Sequence, residues 1–344
     1  MSTKAISKKL INGKQPVITV FGDFCLDKYL YIDASRDELS EETGLTAFQV
    51  VQKKLYAGAA GTITNNLRTL GVKVYCVGIL GDDGEGYELE RCLKNVGAET
   101  RLMVHAADRN TCTYEKPIRC QKGSEVEINR LDIRNFTRTP MPLQEELVRN
   151  LQTAVDLSDA VIICDQFREE DFAAVTAYVR DALEILAEKH SKVVFYADSR
   201  AHADKFSNCI IKCNQREIAG IFGVCPDSIN ADLAIGYAEL LYKKNNKPVY
   251  VTLGEYGSIV FDGLPHKVPA FPVDEPIDAV GAGDAYNAAA VFALTKGAGF
   301  EEAALVGNAA SSIVIKQIKA TGTAKLSDIL ALLEGLQPGE LQSI

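Results

Sequence analysis

The sequence predicts an α/β fold in which a doubly wound, mainly parallel sheet is sandwiched by helices and a small β-sheet stands off the main body. The main observation is the regular pattern after Pro142, where short apolar runs alternate with helical patterns. Such alternation is typical of parallel strands joined by crossover helices on both faces of a sheet. The apolar runs fall at 160–164, 193–197, 210–213 and 249–253, and the helical patterns fall at 168–189, 215–222 and 227–245.

Further elements extend this pattern toward both ends of the chain. A β-rich apolar run at 17–21 predicts a buried strand, because such strands read as continuous hydrophobic segments. Residues 59–70 predict a helix closed by a glycine, and residues 72–79 predict another strand. Small and apolar residues at helical spacing predict two closing helices at about 282–295 and 300–318.

Two segments do not fit the strand–helix alternation. Residues at about 46–56 and 111–131 carry β-branched and alternating side chains interspersed with charges, which is typical of partly exposed antiparallel strands. We expect them to form a small sheet, called the lid below, inserted into the main domain. Because no repeat, low-complexity segment or long linker interrupts the chain, residues 1–344 are expected to form a single domain with this lid.

Composition narrows the class of protein. The chain has 344 residues, is 47% hydrophobic and 24% charged, and carries a net charge of −9, which argues against nucleic acid or an anionic membrane as its main partner. No apolar stretch reaches the roughly 20 residues of a membrane span. The polar start of the chain predicts no signal peptide. Nine irregularly spaced cysteines without a C-x-x-C motif predict reduced thiols in a cytoplasmic protein rather than disulfides or a zinc site.

The most informative segment is Asp278-Ala279-Val280-Gly281-Ala282-Gly283-Asp284, which precedes an Ala-rich helical pattern. Backbone amides at a glycine-rich helix N-terminus form an anion site, because unpaired N–H groups and the helix dipole both point toward it. An acid there is useful if it removes a proton from a hydroxyl that attacks a phosphate. The segment therefore predicts phosphoryl transfer, with Asp284 as base and Gly281, Ala282 and Gly283 as the anion hole. A simple helix cap with an acid in the first turn is the alternative.

Polar residues follow several predicted strands, where ligands of such sheets bind. Asp23 and Asp27 follow the first strand and suit sugar hydroxyls, although a turn and an N-cap explain them equally simply. Asp165 follows the strand at 160–164. Asn214 and Glu217 suit the hydrated shell of Mg²⁺, and they also match a helix capping box.

Together these residues resemble the ribokinase-like (PfkB-type) carbohydrate kinases across nearly the whole chain. Within that family, Gly22 to Tyr29, Glu127-x-Asn129-Arg130-Leu131-Asp132 and Cys164-Asp165-Gln166 resemble the heptose 7-phosphate kinase branch. The bifunctional relatives carry a second, nucleotidyltransferase domain, for which this chain is expected to be too short. The matching pieces are Gly22-Asp23, Gly58 to Gly71, Asn214-x-x-Glu217, Thr252-x-Gly254-x-x-Gly257, Asp278-x-x-Gly281-Ala282-Gly283-Asp284 and Thr321-Gly322-Thr323.

The resemblance implies an ATP-dependent kinase that phosphorylates a sugar or sugar phosphate, with Asp284 as base. It implies Mg²⁺ held through water, allows a monovalent cation, and implies a homodimer formed through the lid. Its nucleotide residues correspond to Thr252, Gly254, Gly257 and Asn308, and its metal residues to Asn214 and Glu217. Its acceptor residues correspond to Asp23, Asp27, Gly58, Thr62, Arg130 and Asp165.

One departure from the family pattern affects the acceptor site. The family usually has two glycines followed, after two residues, by an asparagine, whereas this chain has Ala59 at the second glycine and Thr62 at the asparagine. A threonine offers one hydroxyl where an amide offers two donors and an acceptor. Two alternatives therefore stay open: a catalytically silent nucleotide- or sugar-binding protein, and a nucleoside or fructose-phosphate kinase of the same fold.

Overall fold

The computed structural model describes residues 2–121, 123–318 and 321–336. Its strands are β1 (Val17–Gly22), β2 (Phe24–Asp33), β3 (Glu38–Leu39), β4 (Thr46–Ala47), β5 (Val50–Ala59), β6 (Lys73–Val77), β7 (Ile79–Gly81), β8 (Val104–Ala106), β9 (Thr113–Gln121), β10 (Ser124–Glu127), β11 (Leu131–Ile133), β12 (Ala160–Asp165), β13 (Val194–Ser199), β14 (Ile210–Asn214), β15 (Val249–Thr252), β16 (Ser258–Phe261) and β17 (Pro265–Val268). Its α-helices are α1 (Thr3–Ile11), α2 (Ala60–Thr69), α3 (Gly84–Asn95), α4 (Met141–Val155), α5 (Ala177–Lys189), α6 (Gln215–Phe222), α7 (Ala231–Asn245), α8 (Ala282–Thr295), α9 (Phe300–Val314) and α10 (Leu326–Gly335).

The main sheet has eight strands in the order β17-β16-β15-β14-β13-β12-β1-β6. The six strands from β6 to β15 in this order run parallel, and β16 and β17 add an antiparallel edge. All six parallel strands therefore present their carboxyl ends at one edge of the sheet, which is where ligands of doubly wound sheets bind. The predicted fold class is confirmed.

Helices cover both faces of this sheet because its strands are apolar on both sides. In β12, Ile162 packs in a cluster with α8 and α9, whereas Ile163 packs with α4 and α5 on the opposite face. Helices α6 and α7 cover the same opposite face further along the sheet. None of the helices in the described ranges is long and apolar enough to span a membrane.

The lid is a separate sheet in the order β10-β9-β2-β5, with β11 paired to β9. Strand β2, which places Asp27 at its fourth position, pairs along its length with β5 and β9. The turn and N-cap that Asp27 suggested by itself are therefore wrong. The charges of β2 are accommodated by ion pairs, since Lys28 lies 2.6 Å from Glu115 on β9 and Asp27 lies 2.6 Å from Lys116. Tertiary pairing outweighed local composition here.

Several predicted boundaries shift, and helices α1, α4 and α10 were missed. The helix expected at 168–189 begins at Ala177, where the Thr176 hydroxyl caps it by accepting a hydrogen bond from the Val179 amide. The helix expected at 300–318 ends at Val314. Helices α1 and α10 lie near the ends of the described chain, and their apolar residues pack under α8 and α9. Their patterns are too short for sequence periodicity alone to separate them from loops.

Ala59 occupies a strained backbone conformation between β5 and α2. Its φ is 51° and its ψ is −118°, a region in which an L side chain is unfavourable and glycine is not. This is the position at which the family usually has a glycine. The chain therefore retains the glycine-type turn that leads into α2 while carrying an alanine there, at a cost of about 1–3 kcal/mol.

We predict that Ala59→Gly raises the free energy of unfolding by about 1 kcal/mol, because glycine relieves the positive-φ strain. Urea unfolding followed by circular dichroism measures this change. Ala60→Gly is the matched control: Ala60 is the first residue of α2, so the same change there is expected to destabilise. If Ala59→Gly lost as much stability as Ala60→Gly, the backbone at Ala59 would not be strained.

Candidate active site

The N-terminus of α8 lies at the carboxyl edge of the main sheet. Gly281 is its N-cap residue and adopts a φ of 81°, which an L side chain rarely tolerates. Within the turn the Ala282 amide donates to the Ala279 carbonyl at 3.2 Å, while Ala282 and Gly283 line the neighbouring cleft. The Ser311 hydroxyl donates to the Ala282 carbonyl at 2.8 Å and ties α9 to this turn. The arrangement suits an anion, because the unpaired N–H groups and the helix dipole act together.

Asp284 lies in the first turn of α8 and is half-buried. Burial raises its pKa to about 7, with a contribution from the negative charge of Asp198, while Lys212 and Arg200 act in the opposite direction. Because the folded pKa lies above the ordinary value, the carboxylate becomes fully ionised only above about pH 7. A carboxylate tuned to this range suits a general base near neutral pH.

Lys212 is a buried cation beside the anion site. Its Nζ atom lies 3.2 Å from a carboxylate oxygen of Asp198 and 3.4 Å from the position that a Cβ on Gly283 would take. Burial alone would lower the pKa of Lys212, but Asp198 and Glu217 raise it, so the side chain stays protonated. The ammonium therefore adds a positive charge to the donors at the N-terminus of α8.

A cleft of about 1050 Å³ opens from this point between the ends of β14 and β15 and the helices α8 and α9. Its volume is at the upper end of the usual range for small-molecule sites. The predicted nucleotide residues meet here, because Thr252, Gly254, Gly257 and Asn308 all line the cleft, as do Asn214, Ala282 and Gly283. The Asn308 amide is held by donation to the Pro269 carbonyl at 2.8 Å.

Asn214 and Glu217 form the capping box that was one of their two interpretations. The Asn214 side-chain oxygen accepts hydrogen bonds from the Arg216 and Glu217 amides at 2.9 Å each, and Glu217 accepts from the Asn214 amide at 2.7 Å. Burial raises the pKa of Glu217, which Lys212 lowers and Asp198 raises. The second carboxylate oxygen of Glu217 is not used by the box, so the residues also fit a hydrated Mg²⁺ ion.

The acceptor-side residues Asp27, Gly58 and Thr62 come together near Asp284. A Cβ on Gly58 would lie only 2.4 Å from Asp27, so the glycine leaves room for that carboxylate. The Thr62 methyl group lies 3.7 Å from where a Cβ on Gly281 would be, which places the start of α2 against the turn of α8. Asp27 also acts electrostatically on Asp284 by raising its pKa. The lid thus meets the main domain at the anion site.

Two other predicted acceptor residues have their carboxylates engaged within the protein. Buried Asp23 accepts hydrogen bonds from the amides of Gln166 at 2.8 Å and Ala174 at 3.0 Å. Burial, with a contribution from Asp165, raises the pKa of Asp23 to about 7. Both bonds hold the loop between β12 and α5. The structure gives Asp23 a loop-holding position rather than one in the cleft.

Asp165 is likewise buried, and its carboxylate accepts from the Ser199 hydroxyl at 2.6 Å and lies 3.1 Å from His202 Nδ1. Arg130 is on the lid, where it forms a two-point pair with Asp132 and stacks over the Tyr114 ring. Neither Asp165 nor Arg130 lines the cleft. Their predicted contacts with an acceptor therefore stay predictions.

Sequence reasoning missed Asn287, which lies three residues after Asp284 on α8 and donates to the Asp198 carboxylate. The available signal was the spacing, since residues three apart share a helix face. It also missed the Lys116–Asp27 ion pair, because the two residues lie far apart in the chain. Among the described residues there is no cluster of three or more metal-ligating His, Cys, Asp or Glu side chains.

Comparisons with known proteins identify the class to which this site belongs. The model of the pfkB family of carbohydrate kinases matches residues 18–326. The chain therefore belongs to the pfkB family of carbohydrate kinases, which are phosphotransferases with an alcohol group as acceptor.

Curated relatives point to a branch within the family. The chain is 27% identical over 316 residues to the bifunctional protein HldE of Nitratiruptor sp., covering 92% of this chain and 64% of that protein. It is 26% identical over 336 residues to the bifunctional protein HldE of Wolinella succinogenes, covering 97% of this chain and 68% of that protein. The chain thus spans about two thirds of the length of these relatives. These matches are consistent with the resemblance to the heptose 7-phosphate kinase branch.

Solved structures share the fold. Ribokinase from Arabidopsis thaliana, complexed with ribose and ATP, has a TM-score of 0.68 at 20% identity and covers 94% of this chain and 100% of that one. Phosphofructokinase-2 from Escherichia coli, in complex with substrates and products, has a TM-score of 0.69 at 17% identity. The match covers 95% of this chain and 100% of that one. At this identity the likeness shows the fold.

We predict that Asn214→Ala lowers the free energy of unfolding by about 1 kcal/mol, because α6 loses the side-chain acceptor of its capping box. Asn214→Ser is the matched control, since a serine hydroxyl also caps a helix and should retain most of the stability. Urea unfolding of both variants measures the difference. Equal stability of the alanine and serine variants would show that capping is not a function of this side chain.

Proposed function

We propose that the protein is an ATP-dependent sugar-phosphate kinase in which Asp284 deprotonates the acceptor hydroxyl. The observation that supports this most strongly is the position of Asp284. It follows the anion site of α8, whose Gly281 turn packs near Thr62, it lies within electrostatic reach of Asp27, and it adjoins the cleft that Thr252 and Asn308 line. A base between a nucleotide cleft and an acceptor site is what phosphoryl transfer to an alcohol requires.

The reaction follows from this arrangement. The acceptor oxygen gives its proton to Asp284 and forms a bond to the γ-phosphorus of ATP as the bond from that phosphorus to the bridging oxygen of ADP breaks. The N-terminus of α8 at Gly281, Ala282 and Gly283, through its dipole, and the adjacent Lys212 ammonium stabilise the charge that develops on the phosphoryl oxygens. These donors are fixed before the reaction, so little reorganisation is needed.

Asn214 and Glu217 are the residues that would hold Mg²⁺ through water. When bound there, the ion supplies positive charge to the nucleotide phosphates. The fit rests on Asn214, which lines the cleft, and on the carboxylate of Glu217, which keeps one oxygen outside the capping box. The reaction is expected to stop when a chelator removes Mg²⁺, and turnover that survives EDTA would contradict this assignment. A monovalent cation is part of the same proposal only by family resemblance.

For the acceptor we propose a sugar phosphate, with heptose 7-phosphate as the first candidate. The support is the likeness to HldE proteins over more than nine tenths of this chain and the motifs shared with the heptose 7-phosphate kinase branch. On the acceptor side the lid carries Lys116, which is paired with Asp27. Because Thr62 replaces the usual asparagine, the hydroxyl contacts are expected to differ from those of relatives.

We predict that Asp284→Asn lowers turnover by roughly 10²–10⁴-fold without loss of folding, the range of a general base. ADP release with Mg-ATP is measured against sugars, sugar phosphates and nucleosides, with heptose 7-phosphate first. Asp232→Asn, an exposed change of the same charge on α7, is the control and should retain activity. Near wild-type turnover in Asp284→Asn would refute the role of Asp284 as the general base. ATP binding without turnover of any acceptor would favour a binding protein.

We also propose a homodimer formed through the lid. Several large apolar side chains of the lid are exposed, and burying them against a second copy would remove them from water. Analytical ultracentrifugation should give twice the chain mass at micromolar concentration, whereas Val51→Lys should shift the equilibrium toward monomer. A wild-type monomer at that concentration would contradict the proposal. The exposed residues are Val50, Val51, Val126, Ile128 and Leu131.

A further inference from the structure

Asp198 lies at the centre of a row of side chains beneath α8. It is near the carboxyl end of β13, in register with Cys164 on β12 and with Lys212 on β14. Tyr196, two residues earlier, belongs to the core cluster that includes α8, so Asp198 faces the same helix. The row thus places one carboxylate directly beside the buried ammonium and below the first turn of α8.

The contacts of Asp198 join this row to the helix. One of its oxygens accepts hydrogen bonds from Lys212 Nζ at 3.2 Å and from the side-chain amide of Asn287. The Tyr196 hydroxyl lies 3.2 Å from the amide oxygen of Asn287, where it donates and thereby fixes which way the amide points. Because Asn287 follows Asp284 by three residues, it lies on the same face of α8, one turn away.

We propose that Asp198 and Asn287 are positioning residues that hold the Lys212 ammonium against the anion site and set the charge balance around Asp284. This inference rests on the proposed kinase function, which supplies the roles of Lys212 and Asp284. It assigns a function to a carboxylate that does not itself line the cleft but contacts Lys212, which does. Asp198 acts through its neighbours and not on the substrates.

The charge of Asp198 shifts the pKa of Asp284 in a defined direction. The charged groups that face Asp284 are Asp198 and Lys212 from the sheet, Arg200 from the loop after β13, and Asp27 from the lid. After burial, Asp198 contributes most to raising the pKa of Asp284, and Lys212 and Arg200 lower it. Neutralising Asp198 leaves Lys212 and Arg200 opposed only by the smaller effect of Asp27 among these groups, so the pKa of Asp284 is expected to fall.

The test is Asp198→Asn, which preserves the shape of the side chain. The carbon-13 resonance of the Asp284 carboxyl group, assigned with Asp284→Asn, should titrate near pH 7 in the wild type and about one pH unit lower in Asp198→Asn. The acid limb of the kcat profile should move the same way, because activity is lost as pH falls through the pKa of the base. Asp232→Asn, on the opposite face of the sheet, is the charge control and should leave both midpoints in place.

An unchanged Asp284 midpoint in folded Asp198→Asn would overturn the proposal. If that variant does not fold, Asn287→Ser serves instead, because it removes a donor without changing charge. It is expected to lower kcat about tenfold with little change in KM and in the Asp284 midpoint, since Lys212 loses its fixed partner. Wild-type kcat in Asn287→Ser would also overturn the proposal. The carboxyl titration needs no acceptor, so absence of turnover in the wild type would refute the kinase function separately.

Discussion

The buried ammonium of Lys212 is the constraint on which the rest of the site depends. A charge removed from water must be paired and hydrogen-bonded, because an unpaired one costs several kcal/mol. Asp198 supplies the opposite charge at 3.2 Å, and Asn287 holds Asp198 from the helix above. The pairing joins β13, β14 and α8 beside the N-terminus of α8. The ammonium is therefore held in place before any substrate arrives.

The two ends of the site are built differently around this centre. On the nucleotide side, a cleft of about 1050 Å³ lies between strand ends and helices of the main domain. On the acceptor side, the lid strand β2 brings in Asp27, which is tied to Lys116 on the neighbouring strand β9. The two ends of the site thus come from different sheets of the molecule. Such a division suits a kinase that must exclude water from one substrate while exchanging the other.

The sequence was sufficient for the elements whose signal is local. The strand–helix alternation predicted the doubly wound sheet, and the Gly281–Asp284 segment marked the start of α8, because glycines and helix spacing are readable from neighbours. It was insufficient for β2, because the charged residues Asp27 and Lys28 are unusual in a strand. In the structure both form ion pairs with residues of β9. It was also insufficient for Asp23 and Asp165, whose partners at Ala174 and His202 come from other elements.

The most direct test of the central claim is a single-turnover transfer experiment with ATP labelled in its γ-phosphoryl group. The acceptor is the one that the panel identifies, and the products are separated by chromatography and phosphorus-31 NMR. We expect the label to appear as a sugar phosphomonoester with the wild type and to remain in ATP with Asp284→Asn. Label found only as inorganic phosphate, or equal transfer by both proteins, would contradict the assignment of the α8 N-terminus and Asp284 as the site of phosphoryl transfer.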